Sequence, residues 1–254
     1  MIKSWMALKM DVHLENSPLS RKLGVFVALS QSEVTVLNGL HQRRRTFVAG
    51  RDLVDQGQSD QAAYILCSGW ACSYKLLSDG QRQVVDFQIP GDFLGLRSVL
   101  LRVSDHSIVP VTDIEVTEVH AADLLDAFAK TPRLAAAVLW AASRDEAIVV
   151  EHLVGVGRRD AGERLAHFLL ELGTRLTLVG MGSKAGYACP LSQYMLADAV
   201  GLSAVHVNRV LRQLREKGLL TFRDGHVTFD NYAKLIEFAQ FDRSYLDEIG
   251  PLLK

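Results

Sequence analysis

Between about Gln42 and His120 the apolar positions come in short runs separated by turn residues. Tyr64 to Cys67 stops at Ser68-Gly69, Ala71 to Leu77 at Ser78-Asp79-Gly80, and Arg82 to Ile89 at Pro90-Gly91. Two more strand candidates flank Thr112-Asp113 within Val109 to Val119. Asp79-Gly80 joins two such runs, and a glycine there supplies the positive φ of a tight hairpin. Many short strands at this spacing predict an antiparallel barrel or jelly roll.

From Ala121 the period becomes helical. Ala121 to Lys130 predicts a short helix ended by Thr131-Pro132, and the proline suits the first turn of the next helix. That helix is expected from Arg133 to about Val154, roughly 30 Å long at 1.5 Å per residue. Leu134, Val138, Ala141, Ile148 and His152 recur along it, and Ala135, Ala136, Ala137, Ala141 and Ala142 keep it thin. Such a helix between two domains predicts a partner, most simply a second copy of itself; the alternative is packing on its own barrel alone. Gly155-Val156-Gly157 predicts a break that serves as a hinge, because glycines absorb large backbone changes. Asp160 and Glu163 then form a capping box for a helix through Arg164, Leu165, Phe168, Leu169 and Leu172, ending at Gly173. The expected architecture is α+β. A β-roll sensor domain covers residues 1–130, a dimerisation helix and hinge 131–156, and a winged helix-turn-helix domain 157–254.

The stretch from Leu191 to Leu214 has helix-turn-helix spacing. Ser192 caps a first helix in which Leu196 and Ala197 face inward, and Gly201 supplies the left-handed residue of the turn. Ser203 caps the second helix, whose buried face is Val207, Val210, Leu211 and Leu214. The candidate DNA-binding residues are Ser192, Gln193, Ser203, Ala204, His206, Asn208, Arg209 and Arg212. Helix caps leave amides near phosphates, Asn pairs with adenine, and Arg pairs with guanine. Lys217 to Phe229 reads as a helix end and a two-stranded wing turning at Asp224-Gly225.

Charge sharpens this picture. The 254-residue chain has a net charge of −1 and is 48% hydrophobic and 22% charged, an ordinary globular balance. Between Leu191 and Arg223, five bases against two acids leave a local +3, so DNA affinity resides in a patch. No apolar run at the amino terminus resembles a signal peptide. The most apolar helical stretch, Leu134 to Val156, is interrupted by Arg144, Asp145, Glu146, Glu151 and His152, which predicts no membrane span. Three cysteines, Cys67, Cys72 and Cys189, fit a reducing cytoplasm.

In this order, Pro90-Gly91-Asp92-Phe93-Leu94-Gly95-Leu96, Asp160 to Ala166, and Gly201 to Leu214 resemble the Crp/Fnr family over about residues 20 to 240. The resemblance implies a cupin-like β-roll, dimerisation through the long helix, a palindromic operator in double-stranded DNA, and contact with or occlusion of RNA polymerase. Cyclic-nucleotide-binding members carry Gly-Glu for the ribose and Arg-Ser or Arg-Thr for the phosphate. Here the Glu position holds Leu96, after Gly95, and the Arg-Ser position falls near Asp105-His106. The effector-pocket candidates are therefore Gly95, Leu96, Arg97, Asp105, His106 and Ser107, and a cyclic nucleotide bound in the usual way is not expected. Three cysteines are too few for the oxygen-sensing branch's cluster, and Cys67 and Cys72 are expected on adjacent strands as small core residues. Haem ligated by His106 or His120, or another small ligand, stays open, and no cofactor or metal is expected. Asp105-His106-Ser107 is not read as catalytic, since adjacent side chains diverge. The recognition helix has Ala204-Val205 where common members have Arg-Glu or Val-Glu, which implies a different operator.

Two rivals compete with a regulator. One is a cyclic-nucleotide- or small-ligand-dependent signalling module whose carboxy-terminal domain docks protein. The polar face with Asn208, Arg209 and Arg212 favours DNA instead. The other, a metal-dependent cupin-type enzyme, needs clustered ligands, and the barrel segment offers His106 and His120 without a motif.

Overall fold

The computed structural model describes residues 17–59, 62–101 and 103–246. The amino-terminal residues on which the expectation of no signal peptide rests lie outside them. The chain divides into two compact units.

Of the described residues, the first unit contains those from Ser17 to Ala71 and from Gln88 to Ala142. It opens with two helices that the sequence pattern does not single out, α1 (Pro18–Phe26) and α2 (Gln31–Leu40). Ser17 caps α1 and Ser30 caps α2, the latter in a capping box with Glu33. Strands β1 (Arg44–Phe47), β2 (Ala63–Ser68), β5 (Phe93–Leu94) and β7 (Ile114–Val119) form an antiparallel sheet in the order β1-β7-β2-β5. β6 (Ser107–Pro110) leads into β7, as the Thr112-Asp113 turn predicts. Val54, Leu66, Leu94, Ile108, Ile114 and Val116 fill the interior of the roll. A second core forms where Leu19, Leu23 and Leu37 meet α3 (Ala121–Lys130) and the start of α4, through Leu124, Leu134, Val138 and Ala141. Gly91 has φ +96°, and a Cβ there would lie 2.8 Å from the Pro18 carbonyl oxygen, so this turn requires glycine. Its neighbour Asp92 is buried, accepts from the Ile89 amide, and pairs with buried Lys22 at 2.7 Å.

Of the described residues, the second unit contains 72–87 and 143–246. It takes in most of the hairpin formed by β3 (Ala71–Leu76) and β4 (Arg82–Gln88), which turns at Gly80 as predicted, closed by a bond from the Leu77 amide to the Gln81 carbonyl. α5 (Ala161–Leu178) is its central helix, and Leu165, Leu169, Leu172 and Leu176 are buried. Strands β8 (Gly182–Ser183), β9 (Gly186–Ala188), β10 (Thr221–Arg223) and β11 (His226–Thr228) form a sheet in the order β10-β11-β9-β8. α6 (Gln193–Val200), α7 (Ala204–Glu216) and α8 (Tyr232–Ala239) complete the unit.

Two expected helix ends do not occur. α4 runs unbroken from Pro132 to Arg158, through both glycines that predict a hinge. A helical glycine costs only about 1 kcal/mol relative to alanine, and side chains secure this turn. Arg159 bonds the Glu151 carboxylate at 2.7 Å and its carbonyl at 3.3 Å, and Arg164 donates to the Arg159 carbonyl at 3.0 Å. Likewise α5 continues past Gly173 to Leu178. A Cβ at Gly173 would lie 2.9 Å from the Phe229 ring, so this glycine makes room for an aromatic side chain rather than stopping the helix. The predicted capping box is present: Asp160 accepts from the Glu163 amide at 2.9 Å, and Glu163 accepts from the Asp160 amide at 3.2 Å.

Candidate nucleic-acid interface

The two helices α6 and α7 are set by local chemistry. The Ser192 hydroxyl accepts from the Met195 amide at 3.2 Å, starting α6. Gly201, at φ +63° and ψ +43°, ends it, and the Leu202 amide bonds back to the Ala197 carbonyl. The Ser203 hydroxyl accepts from the His206 amide at 3.2 Å and starts α7. Val207, Val210, Leu211 and Leu214 are buried, as the period predicts.

Successive residues of a helix turn by about 100°. The side of α7 opposite that buried face is therefore the stripe of Val205, Asn208, Arg209, Arg212 and Glu216, all exposed. Asn208, Arg209 and Arg212 stand on it as expected. Ala204 and His206 are half-buried on its flanks. Val205 is 81% exposed near its centre, although the candidate residues drawn from the sequence leave it out. Ser192, Gln193 and Ser203 are exposed at the helix starts. Asn208 Nδ2 donates to Gln193 Oε1 at 3.1 Å, which leaves its second N–H and its carbonyl oxygen available. Beside α7, β10 and β11 join at Asp224-Gly225, both left-handed with φ of +51° and +70°, the pattern of a tight hairpin. This wing exposes Arg223 and His226.

The second unit also holds a buried polar network. Asp86 on β4 accepts from Arg175 on α5 at 2.7 and 3.2 Å, and Arg175 also donates to the Phe87 carbonyl at 2.8 Å. Fully buried Glu171 is bonded by His152 Nε2 at 3.0 Å and by the Tyr245 hydroxyl at 2.9 Å. Burial alone would push His152 down, but the Glu171 carboxylate overrides it and holds the imidazole up to about 9. Burial, together with the Arg159 charge, pushes His167 down to about 4. Arg82 pairs with Asp198 of α6 at 2.6 Å, and Gln83 donates to the Asp198 carbonyl at 2.9 Å.

In the first unit, Gly95 is left-handed at φ +65° and precedes a short 3-10 helix, Leu96–Val99. Leu96 packs against the apolar core. Asp105 accepts from Arg97 at 3.1 Å and meets His106 Nδ1 at 2.7 Å, so these three residues converge. Ser107 is turned elsewhere and accepts from the Gln56 amide at 3.0 Å. His120 is exposed, 3.5 Å from Glu118. No group of three metal-ligating side chains occurs among the described residues. Cys72 and Cys189 are buried, which pushes both thiols up to about 12. Cys67 is half-buried beside Thr117.

Two family models match: a Crp-like helix-turn-helix domain over residues 163–238 and a cyclic nucleotide-binding domain over residues 44–131. The nitrogen fixation regulation protein FixK of Rhizobium meliloti is 32% identical over 181 residues, spanning 70% of this chain and 78% of that protein. The chain belongs to the Crp/Fnr family. Another Crp/Fnr relative, the fumarate and nitrate reduction regulatory protein of Vibrio cholerae, is 23% identical over 228 residues, 90% of each chain. The solved structure of FixK2 from Bradyrhizobium japonicum superposes with a TM-score of 0.69 at 27% identity, covering 77% of this chain and 96% of that one. As a Crp/Fnr protein, the chain is a transcription regulator with a helix-turn-helix DNA-binding domain and a cyclic nucleotide-binding type of β-roll. No described helix is long and apolar enough to cross a membrane.

Proposed function

We propose that the chain acts in the cytoplasm as a homodimer on a palindromic operator, with α7 of each protomer in the major groove. The observation that carries this reading is the outward stripe of α7, where Asn208, Arg209 and Arg212 lie together opposite a wholly apolar buried face. A duplex turn of about 34–36 Å separates half-sites for such paired helices. α4 supplies a surface for pairing. Leu139, Ser143, Glu146, Val150, Leu153 and Gly157 are exposed at alternating steps of four and three residues, a coiled-coil seam. Leu134, Val138 and Ala141, the positions the sequence offers for a partner, are instead used in the chain's own core. The bound dimer is proposed to contact or occlude RNA polymerase.

The sensor roll does not suit a cyclic nucleotide held in the family's usual way. Leu96 offers no acceptor to a ribose, and the Asp105 carboxylate, engaged by Arg97 and His106, repels a phosphate. The test is selection of genomic fragments with the purified protein, then binding to the recovered site with and without cyclic AMP and cyclic GMP. A palindromic site bound equally in all three conditions is expected. A site bound only with nucleotide, or micromolar cyclic-AMP binding by calorimetry, overturns the reading of the roll. Arg209→Ala is expected to cost about 1–3 kcal/mol of discrimination at one base pair. An equal loss on every sequence would instead make Arg209 a phosphate contact.

A further inference from the structure

We propose that Val205 reads the C5-methyl group of a thymine in each half-site; this rests on the reading of α7 as the major-groove helix. Val205 is the second residue of α7, two past the Ser203 cap, near the centre of the stripe that carries Asn208, Arg209 and Arg212. It is 81% exposed, more than any other large apolar side chain of the second unit. The residue is unsuited to that place in an isolated protein. A β-branched side chain is a weaker helix former than alanine, and its surface is left in water among charged groups. A burial partner appears only on docking.

The floor of the major groove offers one apolar group on its base edges, the thymine methyl. Cytosine has only a C5–H at that place, and the remaining edge groups are amino hydrogens, carbonyl oxygens and ring nitrogens. Val205 can bond none of these, and covering them would leave them unsatisfied, which costs free energy. The contact therefore selects thymine twice, by burying its methyl and by penalising the alternatives. Geometry also places the base. Arg209 is one turn further along α7, about 6 Å at 1.5 Å per residue, and base pairs rise about 3.4 Å. The thymine thus lies within about two base pairs of the purine that Arg209 reads.

The experiment uses the full-length protein and the operator recovered by selection. Each half-site thymine is replaced in turn by deoxyuridine, which keeps the pairing and removes only the methyl. Burial of one such carbon is worth roughly a fourfold change in affinity. One position, within two base pairs of the Arg209-dependent one, is expected to lose about fourfold with the unaltered protein and nothing further with Val205→Ala. The unaltered protein is also expected to prefer 5-methylcytosine over cytosine at that position, and Val205→Ala to lose this preference. Val205 is on the surface, so the variant keeps its fold, checked by its thermal unfolding. If no thymine is methyl-sensitive, or if Val205→Ala stays equally sensitive, the inference fails while the DNA-binding reading stands. If no operator is recovered at all, that reading fails and takes this inference with it.

Discussion

His152 and His167 belong to one buried region of the second unit, yet they hold their protons in opposite ways. His152 faces Glu171 and, further off, Asp86, and stays charged up to about 9. His167 lies 3.6 Å from Glu151 and feels Arg159, and stays neutral down to about 4. The raised pKa stabilises the fold fully below the ordinary 6.5 of a histidine, and that contribution is lost as pH climbs toward 9. The depressed pKa stabilises fully above 6.5 and is lost as pH falls toward 4. Together they are expected to give a thermal unfolding midpoint that peaks near pH 6.5. His167→Leu should flatten the acid limb, which carries up to about 3 kcal/mol. A midpoint still falling as steeply below pH 6 in that variant would refute the assignment. None of this was legible in the sequence, where both histidines are single letters in helices. The caps Asp160, Ser192 and Ser203 were legible, because each acts on amides two or three residues away.

At the level of elements, the strands, the helices α6 and α7 and the wing follow from short-range pattern, while the limits of α4 and α5 do not. Glycine inside a helix looks the same in sequence whether it ends the helix or makes space for a neighbour. Gly173 shows the second use, since Phe229, which crowds it, comes from a distant part of the chain. The β3–β4 hairpin is another case. Its alternation announces two strands and a turn, but its ion pair to α5 joins residues 89 apart. Arg175→Ala leaves the Asp86 carboxylate buried without its main charge partner, which is expected to cost about 3–5 kcal/mol. Urea unfolding checks this. A loss under 1 kcal/mol would mean that the pair is not what fastens the hairpin to α5. Arg175→Ala combined with Asp86→Ala should recover part of the loss.

For the whole molecule, the order of roll, long helix and winged helix-turn-helix was legible because three modest motifs occur in sequence. The face of α4 available for pairing was not, since two apolar stripes run along that helix and only the packed fold shows which one is used internally. Leu153 is 72% exposed and Val150 53% exposed. Leu153→Glu is expected to give monomers by sedimentation and to lower operator affinity at least tenfold. A dimer that persists unchanged would move the pairing surface away from this seam. The hairpin of residues 72–87 falls, by sequence, within the stretch that matches a cyclic nucleotide-binding domain, but it is built into the unit that holds α6 and α7. A gene-level exchange of sensor halves between relatives would therefore swap this hairpin without its seat. Such chimaeras should inherit working readout only where the donor supplies an acid at position 86 to meet the recipient's Arg175, so the unit of inheritance in this fold is not a contiguous segment.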